Sequence, residues 1–543
     1  MKDEKGKRDE YIKKRKVHKV NDNLILYKIN IHKRLLMESL ASLILLILFS
    51  ILIISFMNKY LRGFGLGFLN PVSILLSYIT KPPLKDDGMM NKQDELKLFS
   101  RFNSGLLIDV KNKRLSEDES CKHLALISRT GGGKTTSYVL PNIYKLSEEK
   151  CSMVITDLSG EIFDKTSGYL EKKGYKIYVL DPNNLDESIR YNPLEFSNTS
   201  VEIDTLSEIL LASAGLRVTS SEDRIWSDGA KSLISILIKV LKGTEDKKFI
   251  NLANVRYMIN QFGADGKALN EFIKRYADDK TLNEYNGFVS GYDRTLQSFV
   301  SNASVALSPI GINDNLEKLT YSNTIDFKKI REEKSVVYIR IKETEQEQYS
   351  FLLNLFYTQL FNTMLNKIPA KNDLPIYCLL DEFGNMNIPK FPSIITTIRK
   401  YKVSISIILQ NISQLNEVYS PNKAKTILDG GIASKLILSG ADLDLASSLE
   451  RMFGKRKKLE ETADGNYVYE NIDVMSASEI RTMKDNEALF VYANKRPLKM
   501  DIKPYYKDFM FNSFSKINPS KQKLQSHDDN IVYVDLNNID WGE

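Results

Sequence analysis

Seven short apolar runs recur along the central part of the chain, and most of them are rich in β-branched residues. Each is apolar at consecutive rather than alternate positions, which is typical of parallel strands covered by helices on both faces. The predicted strands are Leu124–Ile127, Met153–Thr156, Ile177–Leu180, Val336–Ile341, Ile376–Leu380, Ser404–Leu409 and Leu436–Leu438. Helical segments separate them, so the pattern predicts an α/β sheet with crossover helices.

Residues 201–325 interrupt this alternation. Three stretches there have helical periodicity, and no convincing strand lies between them. They are Glu208–Leu216, Ile225–Leu241 and Leu269–Tyr276. We therefore predict an all-α domain at residues 201–325, inserted between two parts of the α/β domain at 81–200 and 326–505.

Two apolar segments precede the α/β region. Leu35–Met57 is nearly free of charge. It is long enough to cross a bilayer, too long for a secretory signal, and without that signal's small-residue cleavage site. The second segment, roughly Tyr60–Ile79, is weaker and, taken alone, also suits a re-entrant or interfacial piece.

The net charge of the chain is concentrated at its N-terminus. The formal charge is +7, and residues 1–34 hold 12 Lys and Arg against 5 Asp and Glu, an excess equal to the whole of it. A basic tail before a span indicates that the tail is cytosolic. Because the rest of the chain is neutral overall, any nucleic-acid surface on it must be local.

Cysteine usage and the C-terminal composition complete the outline. Cys121, Cys151 and Cys378 lie in or beside apolar runs without disulfide or metal-binding spacing, which is typical of buried thiols in a reducing compartment. Residues 506–543 are polar and end in acidic residues that alternate with apolar ones. That pattern suits a flexible acidic tail or a docking peptide.

The turn after the first predicted strand has the composition of a phosphate-binding loop. Glycines allow backbone N–H groups to face an anion, and the following helix adds the positive end of its dipole. The predicted nucleotide-binding residues are Thr130, Gly131, Gly132, Gly133, Lys134, Thr135 and Thr136. In such a loop Lys134 reaches the β- and γ-phosphates and the Thr135 hydroxyl binds Mg²⁺. Ser128 replaces the first glycine of the usual pattern.

The phosphate loop also constrains the topology. ATP is cytosolic, so a single span would leave the predicted ATP site on the wrong side of the membrane. A second span returns the chain to the cytosol and places Lys85 and Lys92 inside, as the positive-inside rule expects, although Lys59 and Arg62 in the outer turn run against it. We therefore predict a two-span transmembrane hairpin at residues 35–80 and a cytoplasmic ATPase body.

A predicted strand that ends in two carboxylates supplies the second half of a hydrolytic site. Ile376–Leu380 is followed by Asp381 and Glu382, at the carboxyl edge of the sheet where α/β folds bind ligands. Asp381 is predicted to hold Mg²⁺ and Glu382 to polarise the attacking water. Gln410 ends the next strand and is a candidate γ-phosphate sensor. Arg399 is either an arginine finger for a neighbouring subunit or an exposed cation, and its spacing alone does not choose.

Together these motifs resemble those of type IV secretion coupling proteins, the TraG/TraD-like membrane ATPases that feed DNA to conjugation machinery. The matching stretches are RTGGGKTTSYVLPN at 129–142, DLSGE at 157–161, RYNPL at 190–194, WSDGAKSL at 226–233, LLDEFGNMNIP at 379–389, LQNISQLNEVY at 409–419 and RP at 496–497. They cover about residues 120–505 in the order of the family. Leu158 and Ser159 stand where the family commonly has Pro-Lys.

The resemblance implies a RecA-like P-loop ATPase domain with an inserted all-α domain and an N-terminal two-helix transmembrane anchor. It implies ATP and Mg²⁺ as cofactors and a membrane-bound homo-hexamer. Its partners would be DNA, expected to be single-stranded with an attached relaxase, and the secretion channel proteins. Arg399 is the only arginine at the finger position of the family, which favours that role. The same motor also suits a septal chromosome-partitioning translocase or a protein-secretion ATPase.

Overall fold

One sheet of nine strands organises the described part of the chain. In the computed structural model its strands are β1 Leu124–Ser128, β2 Ser152–Asp157, β3 Lys176–Leu180, β4 Ser335–Arg340, β5 Ile376–Leu380, β6 Val403–Leu409, β7 Ser434–Leu438, β10 Glu487–Tyr492 and β11 Leu498–Asp501. They lie in the order β11-β10-β7-β1-β6-β5-β2-β4-β3. The first seven are parallel to one another, and β10 and β11 form an antiparallel edge beside β7. All seven predicted strands are confirmed.

The structure describes Leu48 and residues 87–109, 113–213, 221–262, 266–291, 293–461, 467–521 and 530–536. The chain divides into two units, Met1–Asp86 and Asp87–Glu543, and the sheet belongs to the second. No helix among the described residues is long and apolar enough to cross a bilayer. The predicted tail and both predicted spans fall outside the described residues, apart from Leu48.

Helices cover the sheet on both faces. Alternate residues of β1 enter two separate hydrophobic cores, Ala125 and Ile127 one of them and Leu124 and Leu126 the other. This double burial is the reason for the continuous apolar runs in the strands. The helices are Lys92–Leu98, Glu117–Ser120, Leu140–Leu146, Glu161–Lys172, Ser200–Ser213, Ser221–Gly243, Leu252–Gln261, Gly266–Tyr276, Asp279–Val289, Asp293–Ala306, Ser308–Ile312, Asp314–Leu319, Lys329–Glu332, Ser350–Leu365, Phe391–Thr397, Ile412–Tyr419, Pro421–Lys425, Leu443–Phe453, Ala477–Arg481 and Phe509–Phe514.

The stretch between residues 200 and 325 consists of helices joined by turns and short loops, and no described residue there belongs to a strand. Its apolar side chains share one hydrophobic core with a face of the sheet. The predicted helix Glu208–Leu216 begins earlier, because Thr199 and Glu202 cap the helix start: Glu202 Oε2 accepts from the backbone N–H of Thr199 and Thr199 Oγ1 from that of Glu202.

The described parts of residues 506–543 pack against the body, and the remaining residues of the predicted tail lie outside the described part of the chain. Phe511 stacks on Tyr144 with ring centroids 5.6 Å apart, and Phe514 stacks on Tyr169 at 4.2 Å. Further on, Val534 is 2% exposed. Aromatic and alternate apolar side chains are therefore buried there, which composition alone did not indicate.

A hairpin of β8 Lys455–Glu461 and β9 Tyr467–Asp473 was also missed, because β8 begins with four consecutive cations.

Candidate active site

The loop after β1 has the geometry of an anion cradle. Gly131 and Gly133 have φ of +76° and +84°, in the left-handed region that glycine enters at little cost. A β-carbon on Gly131 would meet nothing within 4 Å, so this side of the loop is open to a ligand. A β-carbon on Gly132 would lie 2.2 Å from Ser128 Oγ. The serine that replaces the usual glycine is thus accommodated by packing against Gly132.

Lys134 and Glu382 pair directly across the carboxyl edge of the sheet. Lys134 Nζ lies 2.6 Å from Glu382 Oε1, and the two side chains are 11% and 13% exposed. The phosphate loop follows β1 and Glu382 follows β5, with β6 between them in the sheet. A charge-assisted hydrogen bond with so little exposure to water is strong. The predicted phosphate-binding cation and the predicted water-activating carboxylate are therefore brought together.

Gln410 links the loop to the carboxylate. It follows β6, and its Nε2 donates to Glu382 Oε2 at 3.1 Å. Its Oε1 accepts from Thr130 Oγ1 at 3.3 Å. Because the side-chain amide contacts both partners, a change at either one is transmitted to the other through Gln410. The Thr136 hydroxyl, by contrast, turns back to the Gly133 carbonyl at 3.4 Å.

Asp381 ends β5 with a carboxyl group whose charged form is disfavoured. Burial and the neighbouring Glu382 carboxylate raise the pKa of Asp381 and Lys134 lowers it, with a net pKa of about 6. The Glu382 N–H donates to Asp381 Oδ1 at 3.1 Å. A carboxylate in this position gains from a cation beside it. Together with the Thr135 hydroxyl it offers the hard oxygen ligands that suit Mg²⁺.

Glu382 has a strained backbone. Its φ and ψ are +49° and +41°, a left-handed conformation that costs a non-glycine residue roughly 1–2 kcal/mol. The next residue, Phe383, is fully buried, with its ring 4.6 Å from Phe391 and stacked on Tyr419 at 5.9 Å. Aromatic packing thus maintains the turn that carries Glu382 to Lys134. Backbone strain of this kind concentrates at functional sites.

Asp157 is a further acid at the same edge. The strand pattern did not predict a role for it, and its segment, 157–161, was identified only through the resemblance. It ends β2, beside β5, and its negative charge also raises the pKa of Asp381. Asp157 Oδ2 accepts from the Phe163 N–H at 2.8 Å, at the start of the helix Glu161–Lys172. Burial raises the pKa of Asp157, while its backbone hydrogen bonds lower it.

Arg399 lies at the amino end of the parallel strands, opposite the carboxyl end where the phosphate loop lies. It precedes β6, whose other end leads to Gln410, and a strand of that length spans roughly 20 Å. Arg399 is exposed and forms no ion pair within the described part of the chain. Its charge acts on His123, just before β1: the pKa of His123 falls to about 3, mainly through burial and further through the charge of Arg399. The structure therefore does not bring Arg399 to the phosphate loop of its own chain.

An open pocket of about 340 Å³ adjoins the loop on the β7 side and was not predicted. Arg129, Gln410, Asp442 and Arg481 are among its lining residues. Ser439, after β7, supports the loop from this side, with its Oγ 3.3 Å from the Gly132 carbonyl oxygen. Ser439 reaches the loop because β7 lies beside β1 in the sheet, and the sequence carries no signal for that strand order.

Comparisons with known proteins agree with this geometry. A family model described as type IV secretory system conjugative DNA transfer matches residues 84–532. The unbound bacterial conjugative coupling protein TrwB, lacking 70 N-terminal residues, superposes with a TM-score of 0.61 at 16% identity, over 76% of this chain and 92% of that one. TrwB with ADP and Mg²⁺ gives 0.59 at 16% identity, over 77% and 93%. TrwB with a non-hydrolysable ATP analogue gives 0.59 at 17% identity, over 76% and 93%. No curated protein matches significantly by sequence.

Proposed function

The chain belongs to the type IV secretory system conjugative DNA transfer family, and from that premise we propose that it is a membrane-anchored coupling ATPase. It would use ATP hydrolysis to move DNA, with its bound relaxase, into the secretion channel. The observation that carries the proposal is the network of Thr130, Lys134, Glu382 and Gln410, drawn from three strands to the foot of one phosphate loop. A structural scaffold has no need of such a network.

We assign the binding roles as follows. The glycines of the loop leave room for phosphate oxygens, and Lys134 neutralises charge on the β- and γ-phosphates. Thr135 and Asp381 would hold Mg²⁺, which when bound offsets phosphate charge during the transfer. The raised pKa of Asp381 suits this role, because a nearby cation stabilises the carboxylate that burial disfavours. TrwB has been seen with ADP and Mg²⁺ and with an ATP analogue, which supports ATP for this chain.

Glu382 is assigned as the group that polarises the attacking water. It pairs with Lys134 in the structure, so the γ-phosphate of ATP has to compete for the same ammonium group. Once Lys134 turns to phosphate, Glu382 keeps its contact with Gln410 and is free to accept a hydrogen bond from water. Gln410 then reports the state of the loop through Thr130. Hydrolysis is thereby tied to occupation of the loop.

Arg399 is assigned as an arginine finger that acts on the neighbouring subunit. Its place before β6, at the end of the strands away from its own loop, supports this assignment, and a ring of six copies would present it to the loop of the next subunit. We propose that each subunit has a RecA-like domain at 81–200 and 326–505, an all-α insertion at 201–325 and two membrane spans at 35–80. Six such subunits would form the ring. A neutral globule is compatible with DNA as substrate, because six subunits contribute to one channel.

The decisive experiment is ATP hydrolysis by the purified full chain with and without single-stranded DNA. Stimulation by DNA that disappears in Lys134→Ala supports a DNA motor. Hydrolysis that DNA leaves unchanged would instead indicate a protein-secretion ATPase. A preference for duplex over single-stranded DNA would favour the chromosome-partitioning type of translocase.

A further inference from the structure

The C-terminal segment Asn530–Leu536 lies on the helical region 200–325 and is held through its backbone. Asn254, in the helix Leu252–Gln261, donates from Nδ2 to the Val532 carbonyl oxygen at 3.0 Å. The same side chain accepts at Oδ1 from the Val534 N–H at 2.9 Å. One amide thus satisfies an acceptor and a donor two residues apart, as a neighbouring strand would. Main-chain pairing of this kind is how extended peptides are recognised.

Asn254 is prepared for this contact. It is fully buried, and its Nδ2 also lies 3.3 Å from Asn251 Oδ1. Asn251 caps the start of the same helix by accepting from the Asn254 N–H. The cap therefore sets the orientation of the Asn254 side chain, with Oδ1 toward one peptide group and Nδ2 toward the other. A fixed amide binds an extended chain at a smaller entropic cost than a mobile one.

Two buried apolar side chains supply the side-chain selectivity. Val534 and Leu536 are 2% and 5% exposed and belong to the main hydrophobic core, whereas Asp535 between them is exposed. Tyr533 packs its ring 5.3 Å from that of Tyr257. Its hydroxyl donates to Glu317 at 2.8 Å. The groove therefore selects an extended peptide with apolar residues at two alternate positions and an acid between them.

We propose that this groove is a peptide-binding site, with the C-terminal segment of this chain as its resident ligand. A separate peptide of the same pattern, extended and with apolar residues at two alternate positions, would displace it. The resident segment is short and buries two apolar side chains, and its covalent attachment to the chain contributes to its hold. A partner peptide of moderate affinity can therefore compete. The inference stands apart from the ATPase assignment, because no residue of the groove belongs to the nucleotide site.

The test uses the full chain in detergent and a fluorescent synthetic peptide of residues 528–538. In the full chain, the pair Val534→Asp and Leu536→Asp empties the groove. Fluorescence anisotropy should show saturable binding of the peptide to this emptied variant, and at least ten-fold weaker binding to the unaltered chain, whose own segment competes. Adding Asn254→Leu to the emptied variant should weaken binding by about ten-fold or more, since two hydrogen bonds are lost. Adding Asn260→Leu, an exposed position on the same helix, should not.

Three results would overturn the proposal. The first is equal binding of a control peptide that itself carries both aspartates. The second is equal binding by the emptied and unaltered chains. The third is a melting temperature of the emptied variant far below that of the unaltered chain, since the segment would then be a fixed part of the fold and not an exchangeable ligand. No ATP is present, so failure of the ATPase assignment leaves the result intact.

Discussion

At the scale of single residues, the site is organised around Glu382, which is strained in its backbone, paired with Lys134 and hydrogen-bonded to Gln410. Each constraint alone is common in proteins. Their coincidence on one carboxylate at a strand end is what favours a catalytic role, because the energy stored in the turn is offset by the buried ring of Phe383 behind it.

Replacing this carboxylate separates binding from turnover. In Glu382→Gln the amide no longer polarises water, and the ion pair that competes with phosphate for Lys134 is lost. We expect turnover to fall by about 10²–10⁴, with ATP affinity equal to or above that of the unaltered chain. Lys134→Ala should lose both. Steady-state hydrolysis and equilibrium binding of a fluorescent ATP analogue measure the two effects, and near-normal turnover in Glu382→Gln would rule out the assignment.

The Asp381 carboxylate that is proposed to bind Mg²⁺ lowers the stability of the fold when it is charged. Its pKa is about 6 in the fold and near 3.8 when unfolded, so the folded state binds the proton more tightly. The free energy of unfolding should therefore decrease as pH rises from about 4 to about 6, by up to roughly 3 kcal/mol from this group. Asp381→Asn should remove that decrease. We expect the variant to be more stable than the unaltered chain at pH 8, equal to it near pH 4, and inactive in Mg²⁺-dependent hydrolysis.

Denaturant midpoints at pH 4.5, 6 and 8 provide the measurement for Asp381→Asn. Asp429→Asn is a suitable control, because Asp429 is an exposed carboxylate whose ion pair with Lys435 lies at the surface. Equal stability of Asp381→Asn and the unaltered chain at pH 8 would show that the charged form of the Asp381 carboxyl group does not destabilise the fold.

At the scale of elements, the parallel strands were predictable because burial on both faces leaves an unbroken apolar run, as in β5 and β6. Lys134 and the Asp381–Glu382 pair were predictable for a related reason, since each follows such a strand. The order of the strands was not: nothing local in β7 shows that it lies beside β1, so the support that Ser439 gives the loop was missed. The helix Phe509–Phe514 was missed because its partners, Tyr144 and Tyr169, are hundreds of residues away in the sequence.

The docking of that C-terminal element depends on one glycine. A β-carbon on Gly168, in the helix Glu161–Lys172, would lie 1.8 Å from the carbonyl oxygen of Asn518. The adjacent hydrogen bond from the Ser520 N–H to Ser167 Oγ, at 3.0 Å, would be disturbed as well. We expect Gly168→Ala to destabilise the chain by about 1–3 kcal/mol and to open residues 517–520 to protease.

Gly287 is the matched control for this substitution. It also lies in a helix, Asp279–Val289, but a β-carbon there would meet nothing within 4 Å. Gly287→Ala should therefore be neutral or stabilising by up to about 1 kcal/mol. Thermal unfolding and limited proteolysis compare the two variants. A stable Gly168→Ala chain with an unchanged digestion pattern would show that the close approach to Asn518 is not required.

At the scale of the whole molecule, the location of ATP predicts the orientation of the proposed membrane anchor. Single cysteines introduced near Lys14 and Lys92 should resist a membrane-impermeant maleimide in intact cells, and one near Lys59 should react. The native Cys121, Cys151 and Cys378 are buried, at 5% exposure or less, and give no background. Labelling of all three introduced positions in lysed cells is the control. Labelling near Lys92 in intact cells would contradict the two-span hairpin and the cytoplasmic motor.

The ring itself is tested through Arg399. Because this residue and Lys134 occupy opposite edges of one sheet, a site that uses both has to be assembled from two subunits. Loss of an arginine finger costs on the order of 10³–10⁵ in rate, so Arg399→Ala should be nearly inactive, and Lys134→Ala should be inactive as well. Lys400→Ala, which removes the adjacent exposed cation, should keep its activity.

Mixing the two inactive variants distinguishes action between subunits from action within one. A complete site forms wherever the intact loop of an Arg399→Ala subunit meets the intact arginine of a Lys134→Ala neighbour. We therefore expect ATP hydrolysis to recover partially on mixing, to a level set by the ratio of the two chains, with mixed assemblies verified by pull-down through differently tagged copies. Full activity of Arg399→Ala alone would place the finger elsewhere. Mixed assemblies without any recovery would mean that the arginine acts within its own subunit, which the sheet geometry opposes, or that each subunit fires only when all of its neighbours are intact.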